Sequence, residues 1–133
     1  MNNPRVIIIA GSKSTQAIID KVTQILNDNL VDFSVFIASA YRTPELLDEI
    51  IQDTKEYAKI YITIAGLSAA LPGVVASKVN QPVIGLPVSS KLGGLDSLLS
   101  MTQLPSGIPV ATVGIDNGKN AAHLALRILN LLD

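Results

Sequence analysis

The chain has 133 residues, with 10 basic against 11 acidic side chains, a net charge of −1 and no cysteine. This length suits one domain over residues 1–133, and the missing cysteines exclude disulfides and thiolate chemistry. No basic run is long enough to follow a phosphate backbone, and an aromatic content of 4% leaves little for base stacking, so nucleic acid is not an expected partner.

Strand-like and helix-like segments alternate along the chain. Residues 6–10 are a short β-branched run. Residues 14–29 follow, with Ile18, Val22, Ile25 and Leu26 on one helical stripe. A second strand is expected over 32–37. A helix over 44–57 carries Leu46, Leu47, Ile50 and Ile51 at helical spacing, with Thr43 as cap, Pro44 at the first helical position and Glu45 at the positive end of the dipole. The third strand, 60–64, precedes a short helix over 71–79. The fourth strand is 83–86, a helix over 95–102 follows Gly93-Gly94 with Asp96 as a candidate cap, the fifth strand is 110–113, and a helix over 120–132 closes the chain.

Such alternation implies a parallel sheet with right-handed crossovers, in an α/β fold of three layers, αβα, around a five-stranded sheet. The first, third and fourth strands are almost wholly apolar, as suits strands covered on both faces.

Apolar residues make up 48% of the chain and charged residues 16%, the latter below about a quarter in ordinary globular proteins. The uncharged stretches 60–77 and 97–115 contain proline, glycine and several hydroxyl side chains, so neither reads as a membrane helix. The first residues lead straight into a strand, so no signal peptide is expected. The apolar surplus is therefore assigned to the interior and to a surface for self-association. A reducing compartment, the cytoplasm, is the expected location.

In open parallel sheets ligands bind beyond the carboxyl ends of the strands. Three loops at that edge are rich in small and hydroxyl residues: Gly11-Ser12-Lys13-Ser14-Thr15, Ser39-Ala40-Tyr41-Arg42-Thr43-Pro44, and the segment from Ala65-Gly66 to Pro72-Gly73. Glycine admits a ligand close to the backbone, and free amides at a helix start attract anions; an ordinary helix cap reads equally well from the first loop alone. Arg42 is suited to hold a phosphate or carboxylate through two parallel bonds, or else to pair at the surface with Glu45. Tyr41 beside it is a poor proton shuttle at neutral pH and suits packing or hydrogen bonding. His123, the only histidine, falls in the closing helix and reads as structural or exposed. Asp96 and Asp116 are the carboxylates in downstream loops. No spacing suggests a metal site or a Ser-His-Asp set.

Together these loops resemble those of the PurE family, the N5-carboxyaminoimidazole ribonucleotide mutases and related aminoimidazole ribonucleotide carboxylases of purine biosynthesis. The family's Gly-Ser-x-Ser-Asp stands here as Gly11-Ser12-Lys13-Ser14-Thr15, its Ser-Ala-His-Arg-Thr-Pro as Ser39-Ala40-Tyr41-Arg42-Thr43-Pro44, and its Ala-His-Leu-Pro-Gly as Ala70-Leu71-Pro72-Gly73 after Ala69. Further matches follow at Pro82-Val83-Ile84-Gly85-Leu86-Pro87-Val88, at Gly94-Leu95-Asp96-Ser97-Leu98-Leu99-Ser100, from Gln103 to Val113, and at Lys119-Asn120-Ala121-Ala122.

The resemblance implies a flavodoxin-like sheet, a homo-octamer with sites near subunit boundaries, a small-molecule ribonucleotide ligand, and no metal or organic cofactor. It implies that Ser12 and Arg42 contact the substrate, with Ser14, Thr15, Ser39 and Gly66 around them, and that no membrane is involved. Departures fall within the motifs. Thr15 stands where the family has the aspartate that meets the ribose, Tyr41 where it has the proton-carrying histidine, and Ala70 where it has a second histidine. In the family mechanism a carboxylate leaves the exocyclic nitrogen as carbon dioxide and the ring carbon recaptures it. Tyr41 thus takes the catalytic position without an imidazole. Two outcomes stay open: a mutase of low activity, and a non-catalytic or repurposed relative that binds a phosphoribosyl or nucleotide ligand.

Overall fold

A computed structural model describes residues 3–133. The strands β1 (Val6–Ala10), β2 (Phe33–Ile37), β3 (Ile60–Gly66), β4 (Val83–Val88) and β5 (Ala111–Thr112) form one sheet in the order β2-β1-β3-β4-β5. Every neighbouring pair is parallel. This is the flavodoxin-like α/β order, in which the connection reverses direction between β1 and β3 and opens a crevice at their carboxyl ends.

Alternation along the inner strands sends side chains to two separate cores. Val6, Ile8 and Ala10 join Ile62 and Ile84 beneath α1 (Gln16–Asp28) and α5 (Gly118–Leu132), where Val22, Leu26, Ala121, Ala125 and Leu129 meet them. Ile7 and Ile9 point the other way, onto α2 (Pro44–Thr54), α3 (Leu71–Ala76) and α4 (Leu95–Thr102), against Leu47, Ile51, Leu71, Val75 and Met101. The expected three layers follow. The strands read as apolar throughout are the interior ones, β1, β3 and β4, while β2 and β5 are edges.

Several local expectations are corrected. The first helix is split: Lys13–Thr15 form a 3-10 turn, and α1 starts at Gln16. Its buried face is Ile19, Val22 and Leu26, with Ile18 and Ile25 only packed against that core. Leu46 of α2 is likewise exposed, and the buried face is Leu47, Ile50, Ile51 and Thr54. The helices α2 and α3 end earlier than periodicity suggests, at Thr54 and Ala76, and β5 is reduced to two residues.

Neither proposed side-chain cap forms. Thr43 turns back to Ser39, accepting its N–H at 2.9 Å and donating to its carbonyl at 3.3 Å. At the start of α4 the capping position is Gly94, not Asp96. Its φ of 89° lies in the left-handed region, and a Cβ there would stand 2.6 Å from Ile115 Cγ2, so only glycine fits.

Candidate functional site

The reversal between β1 and β3 brings the loops after β1, β2 and β3 together at one edge of the sheet. Gly11 N–H donates to the Ile64 carbonyl at 3.0 Å, and Ala38 N–H to the Ala10 carbonyl at 2.9 Å. These bonds carry the sheet register into the loops and hold them side by side. Between them lies a cavity of about 520 Å³, lined among others by Ser12, Ser14, Thr15, Ser39, Tyr41, Arg42 and Gly66. The residues singled out in the three motif loops as catalytic or substrate-binding therefore line one hollow.

The first two loops are organised by their own hydroxyls. Ser12 Oγ accepts the Ser14 N–H at 3.2 Å and lies 2.9 Å from Ser14 Oγ. The Thr15 hydroxyl donates to the Ser12 carbonyl at 2.8 Å. Ser39 Oγ accepts the N–H groups of both Tyr41 and Arg42, at 3.2 and 3.1 Å, which folds the second loop into a tight turn and sets the direction of those two side chains. The Tyr41 hydroxyl donates to the Ser68 carbonyl at 2.6 Å.

Among the described residues Arg42 is the only charged side chain lining the cavity. Among the described residues the ion pairs are Arg5 with Asp133 and Lys78 with Asp48. The alternative pairing of Arg42 with Glu45 does not form. A guanidinium without a protein counter-ion, set among serine hydroxyls, makes this hollow suited to an anion.

Other expected residues lie elsewhere. His123 is exposed on α5 and is not part of the cavity wall, and Asp96 lies in the first turn of α4. Among the described residues no three His, Asp or Glu side chains come together as metal ligands, and no helix is long and apolar enough to cross a membrane.

The cavity also includes Ser68, Ser89 and Ser90, which the loop motifs do not single out. The signal for the latter two was the strand-end rule itself. The parallel β3–β4 pairing ends with Gly66 opposite Val88, so the residues after Val88 open onto the same edge as those after Gly66.

Comparison with known proteins agrees with this geometry. The chain is 58% identical over 126 residues to the N5-carboxyaminoimidazole ribonucleotide mutase of Methanocaldococcus jannaschii, a match covering 95% of this chain and 79% of that protein. It is 51% identical over 131 residues to the probable N5-carboxyaminoimidazole ribonucleotide mutase of Methanobrevibacter smithii, covering 98% of this chain but 39% of that longer protein. The crystal structure of Treponema denticola PurE superposes with a TM-score of 0.89 at 36% identity, covering 98% of this chain and 83% of that one. The sequence thus resembles the N5-carboxyaminoimidazole ribonucleotide mutases of purine biosynthesis. The AIR carboxylase family model matches residues 5–133, and the chain belongs to that family.

Proposed function

We propose that the cavity binds an aminoimidazole ribonucleotide and that the chain moves its carboxylate from exocyclic nitrogen to ring carbon only slowly. The observation that carries this reading is an Arg42 with no ion pair, lining the same cavity as Ser12 and Ser14, with no carboxylate among its described lining residues. Arg42 and Ser12 take the anionic groups, Ser14 and Thr15 the sugar side, and Ser39 and Gly66 shape the wall. Tyr41 stands at the position of the family's proton-carrying histidine, and its phenolic proton is engaged by the Ser68 carbonyl. It therefore positions the loop, and proton transfer at the ring falls to water. General acid–base catalysis by a placed side chain is worth about 100- to 10,000-fold, so turnover drops by at least about 100-fold while binding persists.

The chemistry is that of an isomerase, with carboxy-lyase activity on the same ribonucleotide as the alternative. A single PurE-like domain over residues 1–133, acting in the cytoplasm without a metal or organic cofactor, completes the reading. The mutase names of the relatives support the isomerase chemistry, and the family match over residues 5–133 supports the single domain. Self-association is supported by the exposed Leu92, Leu95 and Leu99, the last two one turn apart on α4; the homo-octamer is the assembly that the family resemblance implies.

Calorimetric titration with aminoimidazole ribonucleotide, paired with a turnover assay on its N-carboxylated form, tests this. Binding by the wild type, at least about tenfold weaker in Arg42→Ala, supports the site. An absence of binding heat overturns it, and turnover equal to that of a histidine-bearing relative overturns the assignment of Tyr41. The non-catalytic alternative is favoured by the Tyr41–Ser68 bond and is read as binding with no turnover at all.

A further inference from the structure

Asp116 lies outside the cavity wall, between β5 and α5, yet it controls a residue inside it. Its backbone is left-handed, with φ of 61°, a conformation that aspartate tolerates better than most side chains. Its N–H donates to the Pro87 carbonyl at 2.8 Å, which presses this turn against the end of β4. Both carboxylate oxygens then hold Ser89: Oδ1 accepts its N–H at 2.8 Å, and Oδ2 accepts its hydroxyl at 2.6 Å. The latter distance is in the short range of a hydroxyl donating to a carboxylate.

A serine hydroxyl has one proton and two lone-pair positions. A carboxylate has no proton to offer, so the single Ser89 proton goes to Asp116, and only lone pairs remain for the cavity that Ser89 lines. Thr15 is in the same state, its proton given to the Ser12 carbonyl. We propose that Asp116 is a positioning residue that fixes Ser89 as a hydrogen-bond acceptor and so selects a ligand presenting a hydroxyl or amino hydrogen at that wall. This rests on reading the cavity as a ribonucleotide site.

Asp116→Asn separates polarity from geometry. The carboxamide oxygen still accepts the Ser89 N–H, because the amide nitrogen cannot. That nitrogen then donates to Ser89 Oγ and turns the serine proton toward the cavity, where it meets the ligand's donor. Titration of aminoimidazole ribonucleotide is expected to show affinity at least about tenfold weaker in D116N, with the melting temperature close to that of the wild type. Ser89→Ala, which removes the acceptor without opposing the ligand, weakens binding by a smaller factor. The double variant binds no more weakly than Ser89→Ala alone, since the asparagine then has no hydroxyl to invert.

Ribose 5-phosphate as a second probe identifies the donor. A D116N effect on both ligands assigns it to a sugar hydroxyl, and an effect on aminoimidazole ribonucleotide alone assigns it to the ring amine. Unchanged affinity in D116N or in Ser89→Ala overturns the proposal, as does a D116N loss of the same size with and without the Ser89 hydroxyl. A wild type that gives no binding heat overturns the ribonucleotide reading beneath it.

Discussion

The Tyr41 hydroxyl and the Ser68 carbonyl, 27 positions apart, are joined by a hydrogen bond of 2.6 Å. Both residues line the cavity, so the bond ties the loop after β2 to the loop after β3. Removing it in Tyr41→Phe keeps the ring and loses the tether. Tyr41 is 68% exposed, so water replaces the lost partner and the cost to global stability is small, about 0.5 kcal/mol. The effect is local: amide hydrogen exchange over residues 67–70 is expected to quicken while the strands keep their protection. Unchanged exchange in that segment would show that the loop is held by other contacts.

The same bond explains why histidine and tyrosine are not equivalent at this position. An imidazole at Tyr41 frees the loop from Ser68 and supplies a group that exchanges protons near neutral pH. An aspartate at Thr15 adds a charged acceptor beside the ligand. The combined Thr15→Asp, Tyr41→His variant is expected to raise mutase turnover by about 100-fold or more over the wild type. Measurement of the initial rate in folded protein decides this. A variant that binds the ribonucleotide and still fails to turn over would mean that further groups, such as a histidine at Ala70, are required.

Much of this arrangement is legible in the chain itself, for definable reasons. The helix over 95–102 is recovered to the residue, because Gly93-Gly94 punctuates its start. The inner strands are recovered because they are buried on both faces and so are uniformly apolar. The face of α1 is less legible. Ile18-Ile19 and Ile25-Leu26 are adjacent apolar pairs, and periodicity alone cannot choose between the members of a pair. Packing against α5 chooses Ile19 and Leu26 for the core. The motif loops could be placed at one edge because parallel strands share a direction. The Tyr41–Ser68 and Ser89–Asp116 bonds could not, because each depends on strand order and on side-chain rotamers that composition does not encode.

At Gly118 the start of α5 packs tightly on α1. A Cβ there would stand 2.8 Å from the Ile18 carbonyl oxygen and 3.2 and 3.3 Å from side-chain atoms of Lys21 and Val22. The nearest of these is backbone in the first turn of α1, so it cannot move aside as a flexible side chain would. The advantage of alanine over glycine, about 1 kcal/mol in a helix interior, is only partly gained at the first position of α5, and overpacking of this kind costs about 1–3 kcal/mol. Gly118→Ala is therefore expected to be neutral to destabilising, by up to about 2 kcal/mol, with a melting temperature lowered by several degrees in the destabilised case. A clear gain in melting temperature would mean that the two helices separate without penalty.

Tyr61 provides a pH-dependent test of the second core. Its side chain is fully buried beneath α2, and its hydroxyl lies 2.7 Å from Thr54 Oγ1. Thr54 gives its own proton to the Ile50 carbonyl at 2.7 Å, so Tyr61 is the donor in the pair. Burial pushes the phenol above its ordinary pKa of 10.0. Below about pH 10 both the folded and unfolded chains keep this proton, and its contribution to stability is complete. Above that value the unfolded chain releases the proton first and binds fewer protons than the folded one, so stability falls as pH rises. Tyr61→Phe is expected to lose about 1 kcal/mol at neutral pH with the hydrogen bond, and to be spared this alkaline decline. Urea unfolding of both proteins across the alkaline range measures the difference. The stability gap is expected to close above about pH 10. A gap that stays constant through that range would mean that the Tyr61 phenol ionises as readily in the folded core as in the unfolded chain.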